Sequence, residues 1–324
     1  MRFSDVLKKE RLNNIFNVVL TNKYISAFLL ILVVVAVSVF AHRSLSGLTE
    51  SDLSGLPVGS LILSFCLISM AYLNRFFFWT ILTASFRLKA PFLLAFRAFF
   101  YSLLGRYIPG KAGLFLFRIK AYEGSSRKKV GAALITEYIA TFLAACLLII
   151  TGTMFIPVTD HILTRWIPGG LLVLFIVLLN PAILKKSINA LIGFAGKEPL
   201  DVFPATKTIV AITSGYILSG LLHGLALFTL LRVFSPMGFE MYPIVTGAYF
   251  MAGLVGIAAF FAPGGIGVRE GVLFLLLSFV IDSQSVVISA AIMRLLTLLS
   301  ELVLAGCSGF SYYLFGRKGT TDET

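Results

Sequence analysis

The stretch that decides the fold is residues 130–156, VGAALITEYIATFLAACLLIITGTMFI, in which Glu137 is the only charged residue. About 20 predominantly apolar residues are enough to cross the roughly 30 Å hydrocarbon core of a bilayer. Three basic residues, Arg127, Lys128 and Lys129, stand directly before this stretch. Because Lys and Arg accumulate in cytoplasmic loops, the stretch is predicted to be a transmembrane helix that enters from the cytoplasm.

Further apolar stretches predict an all-α polytopic membrane protein with about eight transmembrane helices. They cover residues 24–41, 57–82, 167–184, 208–233, 242–262, 269–283 and 286–315. Loops rich in Lys and Arg alternate with loops that are poor in them, which predicts that both termini lie in the cytoplasm. We therefore divide the chain into an amphipathic interfacial segment at 1–23, one transmembrane domain at 24–315 and a cytoplasmic tail at 316–324. The alternative for residues 1–23 is a disordered basic tail.

The composition supports a membrane protein and excludes several other classes. The chain has 324 residues, of which 58% are hydrophobic and 13% are charged, whereas soluble domains are about 45–50% apolar and about 25% charged. We attribute the net charge of +12 to loops facing anionic lipid rather than nucleic acid, because no soluble stretch is long enough for a nucleic-acid-binding domain. The three cysteines are isolated within apolar stretches, so no disulfide framework, metal site or cofactor is expected.

Residues 91–118, PFLLAFRAFFYSLLGRYIPGKAGLFLFR, interrupt the pattern of spans. Both apolar arms are too short to cross a bilayer, and Pro109 and Gly110 break the helix between them. We interpret the segment as a re-entrant hairpin that enters the membrane from the cytoplasm and returns to the same side. The alternative is an amphipathic pair of helices that lies on the cytoplasmic surface, with its Arg and Lys side chains on lipid phosphates.

Residues 260–271, FFAPGGIGVREG, form a second interruption. Its helix-breaking residues are Pro263, Gly264, Gly265 and Gly267. The glycine spacing does not fit a dinucleotide-binding loop, so we predict a broken membrane helix whose second half starts near Val268 and presents its positive dipole end. Each interruption follows the second span of one half of the chain, which suggests parallel repeats at about 24–186 and 208–315.

Three groups of residues resemble the lysylphosphatidylglycerol synthase transmembrane family, also called the flippase-like domain family. They are Gly105–Lys111 (GRYIPGK), Glu137-Tyr138 and Pro263–Gly271 (PGGIGVREG). The family includes the membrane half of the multiple peptide resistance factor, and the resemblance implies translocation of lipids across the cytoplasmic membrane. In its two-part members, a soluble aminoacyltransferase domain makes the aminoacylated lipid. This chain ends at Thr324, so we expect no such domain, no synthase activity, and a separate lipid-modifying enzyme as partner.

Ionisable residues within the predicted membrane region form the candidate site, because each costs roughly 2.5–3.5 kcal/mol at the centre of a span by insertion scales. The predicted substrate-binding residues are Arg106, Tyr107, Lys111, Glu137, Arg269, Glu270, Arg294 and Glu301. We expect the cations of the two interrupted segments to form a groove for a lipid phosphate. Glu137 and Glu270 would balance this charge or receive an amine, and Arg294 and Glu301 would line the path further out.

Several of the charged residues also have a purely structural interpretation. Glu137 and Arg294 are also explained by buried ion pairs that fix helix packing. His223 is interpreted as a hydrogen-bonding residue at a helix contact rather than as a proton carrier. Three arginines are interpreted as long side chains that extend to the membrane interface: Arg75, Arg97 and Arg118.

The function predicted from these features is translocation of a phosphate-bearing lipid, either an anionic or an aminoacylated phospholipid, through a cationic membrane cavity. Other lipids remain open, including polyprenyl-linked sugars and hopanoids. The alternatives are a membrane-embedded enzyme acting on a lipid-linked substrate, a scaffold for a partner synthase or glycosyltransferase, and a small-solute transporter. The enzyme would require convergent carboxylates or a nucleophile–base pair, and no His or Asp motif accompanies Glu137 and Glu270.

Overall fold

Apolar runs fold as helices in the computed structural model of the chain, because backbone polar groups in hydrocarbon must be satisfied within the protein. The structure describes residues 57–105, 112–122, 126–154, 166–194, 199–200, 202–258, 265 and 267–316. All of them belong to one compact unit, Gly47–Thr324. The predicted interfacial segment at 1–23, the first predicted span at 24–41 and the tail at 317–324 lie outside the described residues.

The regular structure of the described residues is entirely helical. The helices are α1 (Val58–Ser85), α2 (Phe92–Leu104), α3 (Ala112–Ala121), α4 (Arg127–Thr153), α5 (Trp166–Leu179), α6 (Pro181–Phe194), α7 (Thr206–Phe234), α8 (Tyr242–Ala258), α9 (Val268–Leu277) and α10 (Ser283–Ser311). A short 3₁₀ turn, Phe239–Met241, precedes α8, and a π-helical turn, Tyr312–Gly316, follows α10.

Five helical stretches of the described chain are long and apolar enough to cross a membrane. They are Val58–Ser85, Arg127–Thr153, Thr206–Phe234, Phe239–Ala258 and Ser283–Phe315. Each of the five corresponds to a span predicted from the sequence. The prediction of a helical multi-pass membrane protein is therefore confirmed.

Two predicted spans differ from single long helices. The stretch 167–184 is divided between α5 and α6, because Oδ1 of Asn180 accepts a hydrogen bond from the N–H of Ala182 (3.0 Å) and Pro181 suits the first position of a helix. Helix α9 contains 10 residues, which is about 15 Å at 1.5 Å per residue. The total of eight crossings thus remains a prediction.

Antiparallel α1 and α7 form the most extensive helix pair in the described structure. Nδ2 of Asn74 donates hydrogen bonds to the carbonyl of Gly215 (2.7 Å) and to Oγ of Ser219 (2.8 Å). Further along, the hydroxyl of Ser64 donates to the carbonyl of Ala226 (3.1 Å). Such interhelical bonds contribute about 0.6 kcal/mol each on average within membranes, so they fix the register of the pair.

Helices α2 and α3 pack against each other, and α2 also packs against α10. An aromatic cluster attaches α2 to α1. The ring of Phe76 on α1 lies at centroid distances of 5.0–6.0 Å from the rings of Phe92, Phe96, Phe99 and Phe100. Edge-to-face aromatic pairs add about 0.5–1.5 kcal/mol to the area they bury, which holds the α2–α3 pair against the long helices.

Candidate functional site

A cavity of about 230 Å³ lies between the helices and is lined by residues of α1–α4 and α7–α10. Its polar lining consists of Tyr72, Arg75, Arg118, Glu137, Tyr138, Thr141, Tyr216, Ser219, His223, Tyr249, Arg269 and Thr297. Arg118 comes from α3 and Arg269 from the start of α9. The described flanks of the two interrupted segments therefore meet at one cavity.

The cavity carries a surplus of positive charge. Its described lining contains three arginines, Arg75, Arg118 and Arg269, and one carboxylate, that of Glu137. Cationic side chains at membrane depth persist where they are paired or face a hydrated cavity. Because three arginines accompany one carboxylate, the described lining has a net positive charge.

Arg118 is the most firmly held of the three arginines. Its guanidinium forms an ion pair with Oε2 of Glu137, and its Nε donates a hydrogen bond to Oγ of Ser102 (3.0 Å). The rings of Trp79 and Phe99 lie 4.3 and 4.4 Å from the guanidinium carbon. The residue is 3% exposed, so the prediction that it extends to the membrane interface is wrong. The reason is tertiary, because α3 turns this face towards α2 and α4.

Arg75 faces the same carboxylate more loosely. Its NH2 atom lies 3.7 Å from Oε1 of Glu137, and its side chain is 26% exposed. The guanidinium carbon lies 5.4 Å from the ring centre of Tyr216. Within the described residues, Nε of Arg75 has no hydrogen-bond partner. Arg75 thus points into the cavity instead of extending towards the interface as predicted.

The side chain of Arg269 reaches the cavity by packing against two glycines. Its side-chain stem occupies the space that a Cβ atom would need at Gly256, and it also lies against Gly265. Gly265 adopts a φ of +72°, a conformation that favours glycine because it crowds a Cβ atom. The guanidinium carbon lies 5.3 Å from the ring centre of Tyr249. Gly265, which was predicted as a helix breaker, therefore also provides space for Arg269, as does Gly256.

Glu270 and Arg294 lie beside a second, smaller cavity of about 30 Å³, which Arg269 also lines. Oε2 of Glu270 accepts a hydrogen bond from the N–H of Gly267 (2.7 Å), and its Oε1 lies 3.9 Å from Nε of Arg294. The carboxylate thereby satisfies one of the N–H groups at the start of α9. A space of this size is large enough for about one water molecule.

Glu301 lies in a buried interface between α1 and α10. It is 0% exposed and lines neither of these two cavities. The hydroxyl of Tyr72 on α1 donates a 2.5 Å hydrogen bond to its Oε1, and the hydroxyls of Ser69 and Ser300 lie 2.9 Å apart beside it. Because Tyr72 lines the large cavity, Glu301 is separated from that space by one side chain.

His223 forms part of an aromatic wall. Its Nδ1 atom lies 2.8 Å from the carbonyl oxygen of Ser219, so Nδ1 carries the proton of this hydrogen bond. Its ring contacts Tyr72 edge-on at 5.3 Å and stacks with Tyr249 at 6.0 Å. The hydrogen bond and the ring contacts agree with its interpretation as a packing residue.

Several predicted residues fall outside the described part of the chain: Arg106, Tyr107, Pro109, Gly110, Lys111, Pro263 and Gly264. Conversely, sequence reasoning assigned Arg75 and Arg118 to the interface and did not propose Tyr72, Tyr216 or Tyr249 for the site. The position of Arg75 could have indicated that it belongs to the site, since it lies well inside a predicted span. Among the described residues, no group of three His, Cys, Asp or Glu side chains is arranged to hold a metal ion.

Comparison with known proteins places the chain in a protein family. The family described as Lysylphosphatidylglycerol synthase TM region matches residues 24–305. The chain belongs to this family. The match includes both interrupted segments and every residue predicted for the site. No curated protein matches the chain.

Proposed function

We propose that this member of the family moves a phosphate-bearing lipid between the leaflets of the cytoplasmic membrane. The headgroup passes through the cationic cavity while the acyl chains stay in hydrocarbon. The observation that carries this function is the convergence of Arg75, Arg118 and Arg269 on one space inside the helix bundle. A translocase needs such a space, because a phosphate cannot cross hydrocarbon without replacement of its hydration shell.

The geometry of α2 and α3 supports a re-entrant hairpin beside this cavity. The helices contain 13 and 10 residues, which is about 20 and 15 Å, so neither reaches across a bilayer. Arg118 on α3 contacts Glu137, which lies ten residues after the start of α4 at Arg127, or about 15 Å along that helix. Such contact at depth favours insertion over a position on the membrane surface.

The carboxylates of the site favour transport over catalysis. A general base or nucleophile must be accessible to its substrate. Glu137 faces two arginines, and Glu270 accepts the N–H of Gly267. We propose that the protein moves a lipid without altering its covalent structure, and that a separate enzyme makes or consumes that lipid.

Reconstituted vesicles test this function. Purified protein is incorporated into liposomes that contain phosphatidylglycerol labelled with a fluorophore, and a membrane-impermeant reductant quenches the outer leaflet. Transport makes the inner-leaflet label accessible, so fluorescence falls below the half that protein-free liposomes retain. Arg269→Gln should slow this by about 10- to 100-fold, because a charge-assisted hydrogen bond contributes about 1.5–3 kcal/mol.

Arg232→Gln is the matched control. Arg232 is exposed in the last turn of α7, where it lies over Phe228. Its replacement removes the same charge without touching the cavity, so transport should stay at the wild-type rate. Normal transport by Arg269→Gln, with both variants monodisperse in detergent, would refute the proposed role of the cavity.

A further inference from the structure

We infer that the cavity selects headgroups that are net anionic and contain no amine, and that Arg75 is the side chain that binds the phosphate. This inference deepens the proposed function and rests on it. It narrows the substrate expected from the sequence, which included aminoacylated phospholipids. The inference rests on the contacts that carboxylates, aromatic rings and guanidinium groups near the cavity already make.

Among the described residues that line the cavity, no carboxylate is accessible to an incoming ammonium group. Glu137 is the one acidic residue in its described lining. Its Oε2 is paired with Arg118, and its Oε1 faces Arg75. An ammonium could reach Oε2 only by displacing Arg118, which Ser102 and two aromatic rings hold in place, and Oε1 only by displacing Arg75.

The neighbouring carboxylates are also engaged. Glu270 accepts the N–H of Gly267 and lies near Arg294, and Glu301 is fully buried with the hydroxyl of Tyr72 on it. Beside the described lining of the cavity, therefore, an amine would meet surplus cations without gaining an anionic partner.

Aromatic faces are the other means of binding an ammonium group, and arginines lie over two of the tyrosines that line this cavity. The guanidinium of Arg75 lies over Tyr216, and that of Arg269 lies over Tyr249. An ammonium headgroup would have to compete with these side chains for those two rings.

Arg75 is best placed to bind an anion. It is far more exposed than Arg118, its 3.7 Å approach to Glu137 is long for an ion pair, and its buried Nε lacks a hydrogen-bond partner among the described residues. The terminal nitrogens of a guanidinium donate charge-assisted hydrogen bonds to phosphate oxygens. A headgroup phosphate can therefore bind Arg75 while Arg118 stays on Glu137 and Arg269 adds a further charge.

Lipid competition tests the selectivity. Native mass spectrometry of the wild-type protein is performed with an equimolar mixture of phosphatidylglycerol, phosphatidylethanolamine and lysylphosphatidylglycerol. The same lipids, labelled on an acyl chain, are followed in the vesicle assay. Phosphatidylglycerol should be bound and transported at least about tenfold better than either amine-bearing lipid, on the scale of one charge-assisted hydrogen bond.

The outcomes separate this inference from the proposed function. Transport of all three lipids at similar rates, or preference for an amine-bearing lipid, would overturn the selectivity and leave the translocase intact. Absence of any transport would overturn the translocase, and the mass spectra would then decide the selectivity alone. If the mass spectra showed that amine-bearing lipids are retained as strongly as phosphatidylglycerol, the inferred selectivity would be wrong.

Variants of Arg75 test its individual role. Arg75→Gln should weaken the binding of phosphatidylglycerol by about tenfold, because it removes one charged phosphate contact. Arg75→Lys keeps the charge and should restore much of this binding, while Arg232→Gln should leave it unchanged. Unaltered binding of phosphatidylglycerol by monodisperse Arg75→Gln protein would contradict the assignment.

Discussion

Arg118 on α3 and Glu137 on α4 form an ion pair whose side chains are only 3% and 4% exposed. The pair joins the short α2–α3 hairpin to a long membrane helix. In the sequence, the end of α3 and a short loop separate Arg118 from Glu137. The pair therefore fixes how α3 is oriented towards α4. Buried pairs of this kind are costly to break, because the remaining charge has no compensation.

Removing one partner of this pair should destabilise the protein, and the two single variants should differ. Glu137→Gln leaves both Arg118 and Arg75 without their carboxylate, whereas Arg118→Met leaves Glu137 facing Arg75. Loss of one partner of a buried pair costs about 3–5 kcal/mol, with Glu137→Gln expected at the upper end. Thermal unfolding in detergent measures the effect, with Arg232→Met as control. Equal stability of wild type and Glu137→Gln would exclude a structural role for the pair.

The close approach of Arg269 to α8 makes Gly256 sensitive to substitution. A Cβ atom at Gly256 would overlap the Arg269 stem near its base, where the side chain has little freedom to move. Gly256→Ala should therefore displace the guanidinium from Tyr249, slow lipid transport as Arg269→Gln does, and lower stability by about 1–3 kcal/mol. Helix propensity alone predicts the opposite sign, a gain of about 1 kcal/mol.

Gly271→Ala provides the matched control for this steric effect. Gly271 lies in α9, and a Cβ atom added there meets nothing within 4 Å. We expect unchanged transport and a small increase in thermal stability. If Gly256→Ala also gains stability and transports normally, the glycine does not provide the space for Arg269.

The sequence predicted the helices that cross the membrane more accurately than the side-chain partners. The structure has α1 at Val58–Ser85 and α7 at Thr206–Phe234, within a few residues of the predicted spans at 57–82 and 208–233. Membrane thickness fixes the length of an apolar run, so such spans can be recognised without tertiary information. The division at Asn180 escaped notice because one polar residue hardly changes the apolarity of a long run.

The partners of the charged residues depend on packing that spacing along the chain does not reveal. Glu137 and Arg269 were proposed together for one cavity, and they line the same one. Arg118 was assigned to the interface, because nothing in its own helix shows that α3 faces α4. The hydrogen bond of Glu301 to Tyr72 was not foreseen either. Both contacts depend on the rotation of a helix about its axis.

The hydrogen bond between Tyr72 and Glu301 should contribute measurably to the packing of α1 against α10. Tyr72→Phe leaves the fully buried Glu301 without this donor, and a hydrogen bond to a charged group contributes about 1.5–3 kcal/mol. We expect a loss of this size in thermal unfolding. In the Glu301→Gln background the same substitution should cost less, which a double-mutant cycle measures. Identical costs in both backgrounds would show that the two side chains do not interact.

Asp282 at the start of α10 should make stability depend on pH. Its Oδ2 accepts hydrogen bonds from the backbone N–H (2.9 Å) and the hydroxyl (3.1 Å) of Ser285, and these bonds to the charged form lower the pKa of the carboxyl below its ordinary value of 3.8. A lowered pKa in the folded protein means that the stabilisation is complete above the ordinary pKa and is lost as the pH falls through the folded value. The melting temperature of Asp282→Ala should therefore lie below that of wild type near neutral pH, and the difference should narrow below about pH 4. Asp282→Asn retains an acceptor that does not titrate. The wild type should therefore have a higher melting temperature than Asp282→Asn only at pH values where its carboxylate is charged. A difference between wild type and Asp282→Ala that stays constant from neutral to acidic pH would show that the carboxylate does not cap α10.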